Sequence, residues 1–165
     1  LLFDHAEQPR YIGVTEMGIR RRVAGYHVGG DGNSHKFSTI YNAGRMFHDR
    51  NSIHSCLQEG RIAKELRRLF ARAHCRAVGV PLPGLAKADL FAVEAELRRI
   101  APSNALSWNN LRALDAYEPV ELVDQFLNTL SWPAAKLAAI HRQAERWRRM
   151  RAANAGKESD GGHSP

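Results

Sequence analysis

Gly44-Arg45-Met46-Phe47-His48-Asp49-Arg50-Asn51-Ser52-Ile53-His54-Ser55-Cys56 is the stretch whose reading decides the fold. It reads as the end of a short helix, a polar turn and the start of a second helix, with no proline to interrupt it. The first helix is predicted from Ser38 or Thr39 to about Phe47, with Ile40, Ala43 and Phe47 on its apolar side. His48-Asp49-Arg50 makes the turn. The second helix starts near Asn51 and runs to about Ala77, with Gly60 as the point where it bends. Ile53, Leu57, Leu66, Leu69 and Phe70 form its apolar side, and Arg61, Lys64, Arg67, Arg68, Arg72 and Arg76 a basic, mostly solvated stripe. A helix that opens on short hydrogen-bonding side chains and an arginine suits a reader of the DNA major groove. Such residues reach base edges and phosphates while the apolar side holds the helix in its domain.

Outward from this stretch, residues 1–10 read as a frayed lead-in. Thr15 caps a helix predicted to reach Val28, stopped by Gly29 and Gly30. Gly30 to Ser34 is a loop by its turn chemistry. Pro81-Leu82-Pro83-Gly84 is the clearest boundary. Beyond it, helices are predicted over 88–101, from Ser107, from Pro119 and from Ser131, the last carrying Pro133 at its start and Leu137, Ile140 and Trp147 on one side. From about Asn154 the Gly, Ser and charged residues read as a disordered tail. The domains are thus 1–10 lead-in, 11–80 DNA-binding, 81–84 linker, 85–153 helical and partner-binding, and 154–165 tail. The fold class is all-α.

The 165 residues, 44% of them hydrophobic, suffice for one or two small helical domains, and the net charge of +7 favours a polyanionic partner. Residues 1–80 hold 13 Lys/Arg against 7 Asp/Glu, residues 81–135 hold 4 against 7, and residues 136–151 hold 6 against 1. A basic part is followed by an acidic one that ends in a basic helix. That helix, with Arg142, Arg146, Arg148, Arg149 and Arg151, fits a phosphate clamp, a dock for an acidic partner, or a solvated end favoured by the helix dipole.

Cys56 and Cys75 do not make a secreted disulfide framework, so a reduced, cytoplasmic and nucleoid-associated protein is expected. No apolar run approaches the ~20 residues that span a bilayer, and no membrane partner is expected. Leu1 in place of an initiator Met points to a longer chain. His54-x-Cys56 and His74-Cys75 pair metal-ligand types but match no zinc spacing, and neighbours on a helix diverge by about 100°. His48, Asp49 and Ser52 are neighbours on a turn, an arrangement unlike a catalytic triad. No metal, cofactor or catalysis is expected. Trp108, Trp132 and Trp147 sit at helical positions that favour core packing over base stacking.

The 44–56 run resembles the helix-turn-helix signature in the C-terminal DNA-binding domain of the bacterial replication initiator DnaA. In that family Ile-Gly-x-x-Phe is followed by a turn and Arg-Asp-His-Ser/Thr-Thr-Val-x-His-Ala. An ungapped match places Gly44, Phe47 and Arg50 on the family's Gly, Phe and turn arginine, and Ile62 on a late apolar position. Asn51, Ser52, Ile53 and His54 then stand where the family contacts bases. A second register aligns Asp49-Arg50-Asn51-Ser52-Ile53 with Asp-His/Arg-Ser-Thr-Val and keeps Ile53 in the core. The resemblance covers residues 37–62 well and 11–78 loosely, and no Gly-x-x-x-x-Gly-Lys-Ser/Thr accompanies it. DNA-reading domains of this type without the ATPase occur in alphaproteobacterial regulators, among them activators of gene transfer agent clusters, and the two-part layout is similar to theirs.

The expectation is therefore a transcription regulator, an activator in kind, that binds double-stranded DNA. Arg50, Asn51, Ser52, His54 and Ser55 are the candidates for base or near-groove contact, and Lys36 and Arg45 for backbone positioning. The resemblance implies RNA polymerase or a sigma factor as partner of residues 85–153. A replication or nucleoid accessory protein and a helical protein–protein adaptor are the alternatives. A monomer on asymmetric sites and a dimer on a palindrome fit equally.

Overall fold

The computed structural model describes residues 1–30, 35–49, 57–109 and 116–160, with backbone alone at 57 and 155–160. Over these residues the chain is mostly helical. Its helices are α1 (Arg21–Val28, wound with wide π-type turns), α2 (Lys36–Ile40), α3 (Leu57–His74), α4 (Lys87–Ile100), α5 (Val120–Thr129) and α6 (Ala134–Asp160). Short 3-10 turns occupy Gly44–Met46 and Ser103–Leu106. β1 (Leu2–Phe3), β2 (Pro9–Tyr11) and β3 (Arg76–Ala77) add a small antiparallel sheet in the order β2-β1-β3, which the sequence reading did not foresee. Two compact units interleave along the chain, residues 1–40 with 68–115 and residues 41–67 with 116–165. The Pro81–Gly84 stretch lies inside the first unit.

In the first unit, the expected lead-in is ordered by Asp4. Its Oδ1 accepts the N–H groups of Ala6 at 2.8 Å and Gln8 at 2.9 Å, and its Oδ2 accepts Arg10 Nε at 2.6 Å. A buried carboxylate so satisfied closes the β1–β2 turn. Leu2 pairs with Tyr11 on one side and Ala77 on the other, so Arg76 and Ala77 leave α3 for the sheet instead of extending the helix as expected. The helix expected from Thr15 begins later. Gly18 takes a φ of +85°, which a right-handed helix does not admit, and the Thr15 hydroxyl accepts the Met17 N–H in a local turn. Trp108 is buried, its ring edge-on to Phe37 at 5.8 Å and its N–H donated to the Arg10 carbonyl at 2.8 Å. Core packing, not base stacking, is what this tryptophan does.

In the second unit, residues 38–47 do not form the single helix expected. α2 ends at Ile40, Ala43 is extended, and Gly44 takes a φ of +54° before the 3-10 turn. A Cβ on Gly44 would collide with the Glu118 carboxylate, so only glycine allows this close approach. Asn42 closes the loop: its Oδ1 accepts the His48 N–H at 2.8 Å and also a bond from Arg67. Arg67, expected in the solvated stripe, is 2% exposed and also donates to the Met46 carbonyl at 3.3 Å. α3 passes through Gly60 without a break, because a missing side chain there lets the His48 ring lie on the helix, 2.8 Å from where a Cβ would stand. α6 continues by its backbone to Asp160, beyond the predicted end at 153.

Candidate nucleic-acid interface

Five of the seven expected DNA contacts, Arg50, Asn51, Ser52, His54 and Ser55, lie outside the described residues, as do His54 and Cys56 of the metal pairings. Their two flanks are described, and both are fastened to α6 within the second unit. On the N-terminal flank, Asp49 Oδ2 accepts Arg146 at 3.3 Å, and the Phe47 ring lies 5.1 Å from that of Trp147. On the C-terminal flank, Glu59 accepts Arg142 Nε at 2.6 Å, and Glu65 accepts Lys136 Nζ at 2.9 Å on both oxygens. Lys136 also stands 4.7 Å above the Trp132 ring.

The helical period explains this arrangement. Ala139, Ile140 and Gln143 are buried, and Trp147 is half-buried on the same side, which seats α6 against the 3-10 turn at Gly44–Met46. Arg142, Arg146 and Arg149 then recur at i, i+4 and i+7 along one edge of that side. The first two meet Glu59 and Asp49. Arg149 and its neighbour Arg148 are exposed and form no ion pair among the described residues, and Arg151 lies 5.7 Å from the Trp147 ring. Arg61 is exposed one residue past Gly60. The ion pairs to Glu59 and Asp49 are partly solvated and so individually weak.

The two remaining expected contacts are not at a surface, which corrects the reading of them as backbone-positioning groups. Arg45 is 8% exposed. Its Nε donates to Glu118 at 2.5 Å, its Nη1 to Asp124 and its Nη2 to the Val120 carbonyl at 3.1 Å, and its own N–H bonds Glu118 Oε2 at 3.1 Å. Burial works against its charge, and the carboxylates of Asp124 and Glu118 more than offset that and raise its pKa. A guanidinium so buried and bonded to two acids is a clamp for α5 and is not presented to a phosphate. Lys36 belongs to the first unit, is 5% exposed and lies 4.8 Å from the centre of the Tyr11 ring. The residues that sequence reasoning missed are Glu118 and Asp124. Their clustering before and within the helix after Pro119 was legible, but their pairing to a residue 73 or more positions away was not.

No group of three or more His, Cys, Asp or Glu side chains is gathered for a metal ion among the described residues, and no helix there is long and apolar enough to cross a membrane. Comparison with family models, with curated proteins and with solved structures returned no match.

Proposed function

We propose that this chain binds double-stranded DNA and regulates transcription, with residues 50–55 as the groove-reading segment and the arginines of α6 as its phosphate clamp. The observation that supports this most is the fastening of α6 to both flanks of that segment, through Arg146–Asp49 and Arg142–Glu59. It brings a strongly basic helix against the two described flanks of the residues read as base contacts. Affinity then comes mostly from Arg142, Arg148, Arg149 and Arg151 on phosphates, and sequence preference from Arg50, Asn51, Ser52, His54 and Ser55. The turn into the reader is built from a 3-10 turn and the Asn42-closed loop, so the proposed reader departs from the DnaA-like pattern on its N-terminal side. RNA polymerase or a sigma factor remains the partner proposed for an activator. α5 and α6 share a compact unit with the described flanks of the proposed reader, so this part of the proposed partner segment supports it rather than standing apart.

The test is sequencing of genomic fragments captured by the wild-type chain, by Arg50→Ala/Ser52→Ala and by Arg148→Ala/Arg149→Ala at ~150 mM salt, where non-specific phosphate binding is reduced. A shared motif near a few promoters, lost in the first variant and weakened at every site in the second, is the expected result. Many dispersed sites or clustering at an origin would replace the activator by a replication or nucleoid role. Capture indifferent to both variants would remove DNA reading altogether and leave an adaptor.

A further inference from the structure

The first unit contains a cavity of about 750 Å³ walled by β1, α1, the 77–85 segment and α4. α4 has no buried residue at all. Leu90, Val93 and Leu97 turn toward the cavity, and no described side chain fills the space they face. Of the twelve large apolar residues left exposed among the described residues, seven line this one cavity: Leu1, Ile19, Val78, Val80, Leu82, Leu85 and Leu97. Exposed apolar surface gathered in one concavity, at a volume within the ~300–1,000 Å³ of small-molecule sites, is the signature of a binding pocket.

Its polar groups are lopsided in charge. Glu16 is the one acid in the lining, and it is tied to Lys87 at 3.0 Å. Arg22 lines the wall with no ion pair among the described residues, beside Tyr11 and His27, whose rings lie 5.4 Å apart. Lys36, outside the lining, is buried with its ammonium 4.8 Å from the centre of the Tyr11 ring, and its backbone N–H is donated to His27 Nδ1 at 3.2 Å. Arg22 is half-buried, and a cation partly withdrawn from water is stabilised by an anion that pairs with it.

We propose that this cavity binds a small amphipathic organic anion, an aliphatic or aromatic body carrying one carboxylate, with Arg22 as counter-charge and the α4 wall as cover for the body. The lowered pKa of Lys36, to about 8 through burial and then Arg22 and Arg98, agrees with a surplus of positive charge around Arg22. The inference is independent of the DNA reading, since every residue it uses lies in the first unit.

Calorimetric titration of the full chain with octanoate and with 1-octanol tests it. Octanoate should bind saturably, one per chain, and at least about tenfold more tightly than 1-octanol. Arg22→Gln should weaken octanoate by about tenfold, or 1.4 kcal/mol, and leave 1-octanol unchanged. Val93→Trp, which fills the cavity, should remove both, with thermal melts showing that each variant folds. If Val93→Trp fails to fold, the Arg22→Gln comparison decides alone. Equal binding of acid and alcohol, indifference to Arg22→Gln, or no saturable binding would overturn the proposal. So would self-association of the chain that octanoate does not disturb, which would make the apolar wall a contact between copies.

Discussion

Arg45 shows how one side chain changes role once its surroundings are known. Arg45→Ala leaves Glu118, only 10% exposed, without its cation, and should cost about 3 kcal/mol in urea unfolding. The double replacement Arg45→Met/Glu118→Leu should recover most of that loss, because an apolar pair of similar volume carries no desolvation penalty. A double variant as unstable as the single one would mean that the ion pair itself holds α5. Lys36 makes the opposite case. With Lys36 buried and no ion pair to it among the described residues, Lys36→Met should raise stability by about 1 kcal/mol, read as a rise in Tm of ~2–4 °C. An unchanged or lowered Tm would show that the charge is already compensated.

At the scale of elements, α6 is the helix on which the proposed phosphate clamp rests. Its inner edge meets Asp49 and Glu59 through Arg146 and Arg142, and its exposed Arg148 and Arg149 are the next cations along. Replacing both by alanine should lower the slope of log affinity against log salt by about 2 on duplex DNA of any sequence. An unchanged slope would place the phosphate contacts elsewhere. The Gly44–Met46 turn is the other decisive element. Gly44→Ala meets both the positive φ and the Glu118 carboxylate, so it should destabilise the chain by more than about 1 kcal/mol in the same urea titration. A ΔΔG below that would mean the turn relaxes without disturbing the clamp on α5.

At the scale of the molecule, charge does not separate the two units. The first holds 12 Lys/Arg against 8 Asp/Glu and the second 12 against 9, so the proposed DNA contact rests on the exposed face of α6 and not on a wholly basic unit. Stability as a whole should follow His27 in acid. Burial, and then Arg22, His35 and Lys36, bring its pKa from 6.5 down to about 3, and Nδ1 must stay unprotonated to accept the Lys36 N–H. The unfolded chain takes up this proton near pH 6.5 and the folded chain near 3, so stability falls as pH drops through that window, by about 3 kcal/mol between pH 7 and pH 4. Asp4, held below its usual 3.8 despite burial by Arg10 and the Gln8 and Ala6 N–H groups, loses its contribution only as pH falls further. Urea unfolding at pH 7, 5.5 and 4, with His27→Gln flattening the curve, checks this. The helices after Pro119 and Ser131, the helical class and the basic last helix were determined by the sequence alone, because periodicity and caps act within a few residues. The edge strands around Asp4, the inward turn of Arg67 and Arg45, the interleaving of the two units and the fastening of α6 to Asp49 and Glu59 were decided only by tertiary structure. Each depends on a partner tens of residues away, chosen by the need to satisfy a buried charge or backbone group, and local pattern carries no record of that choice.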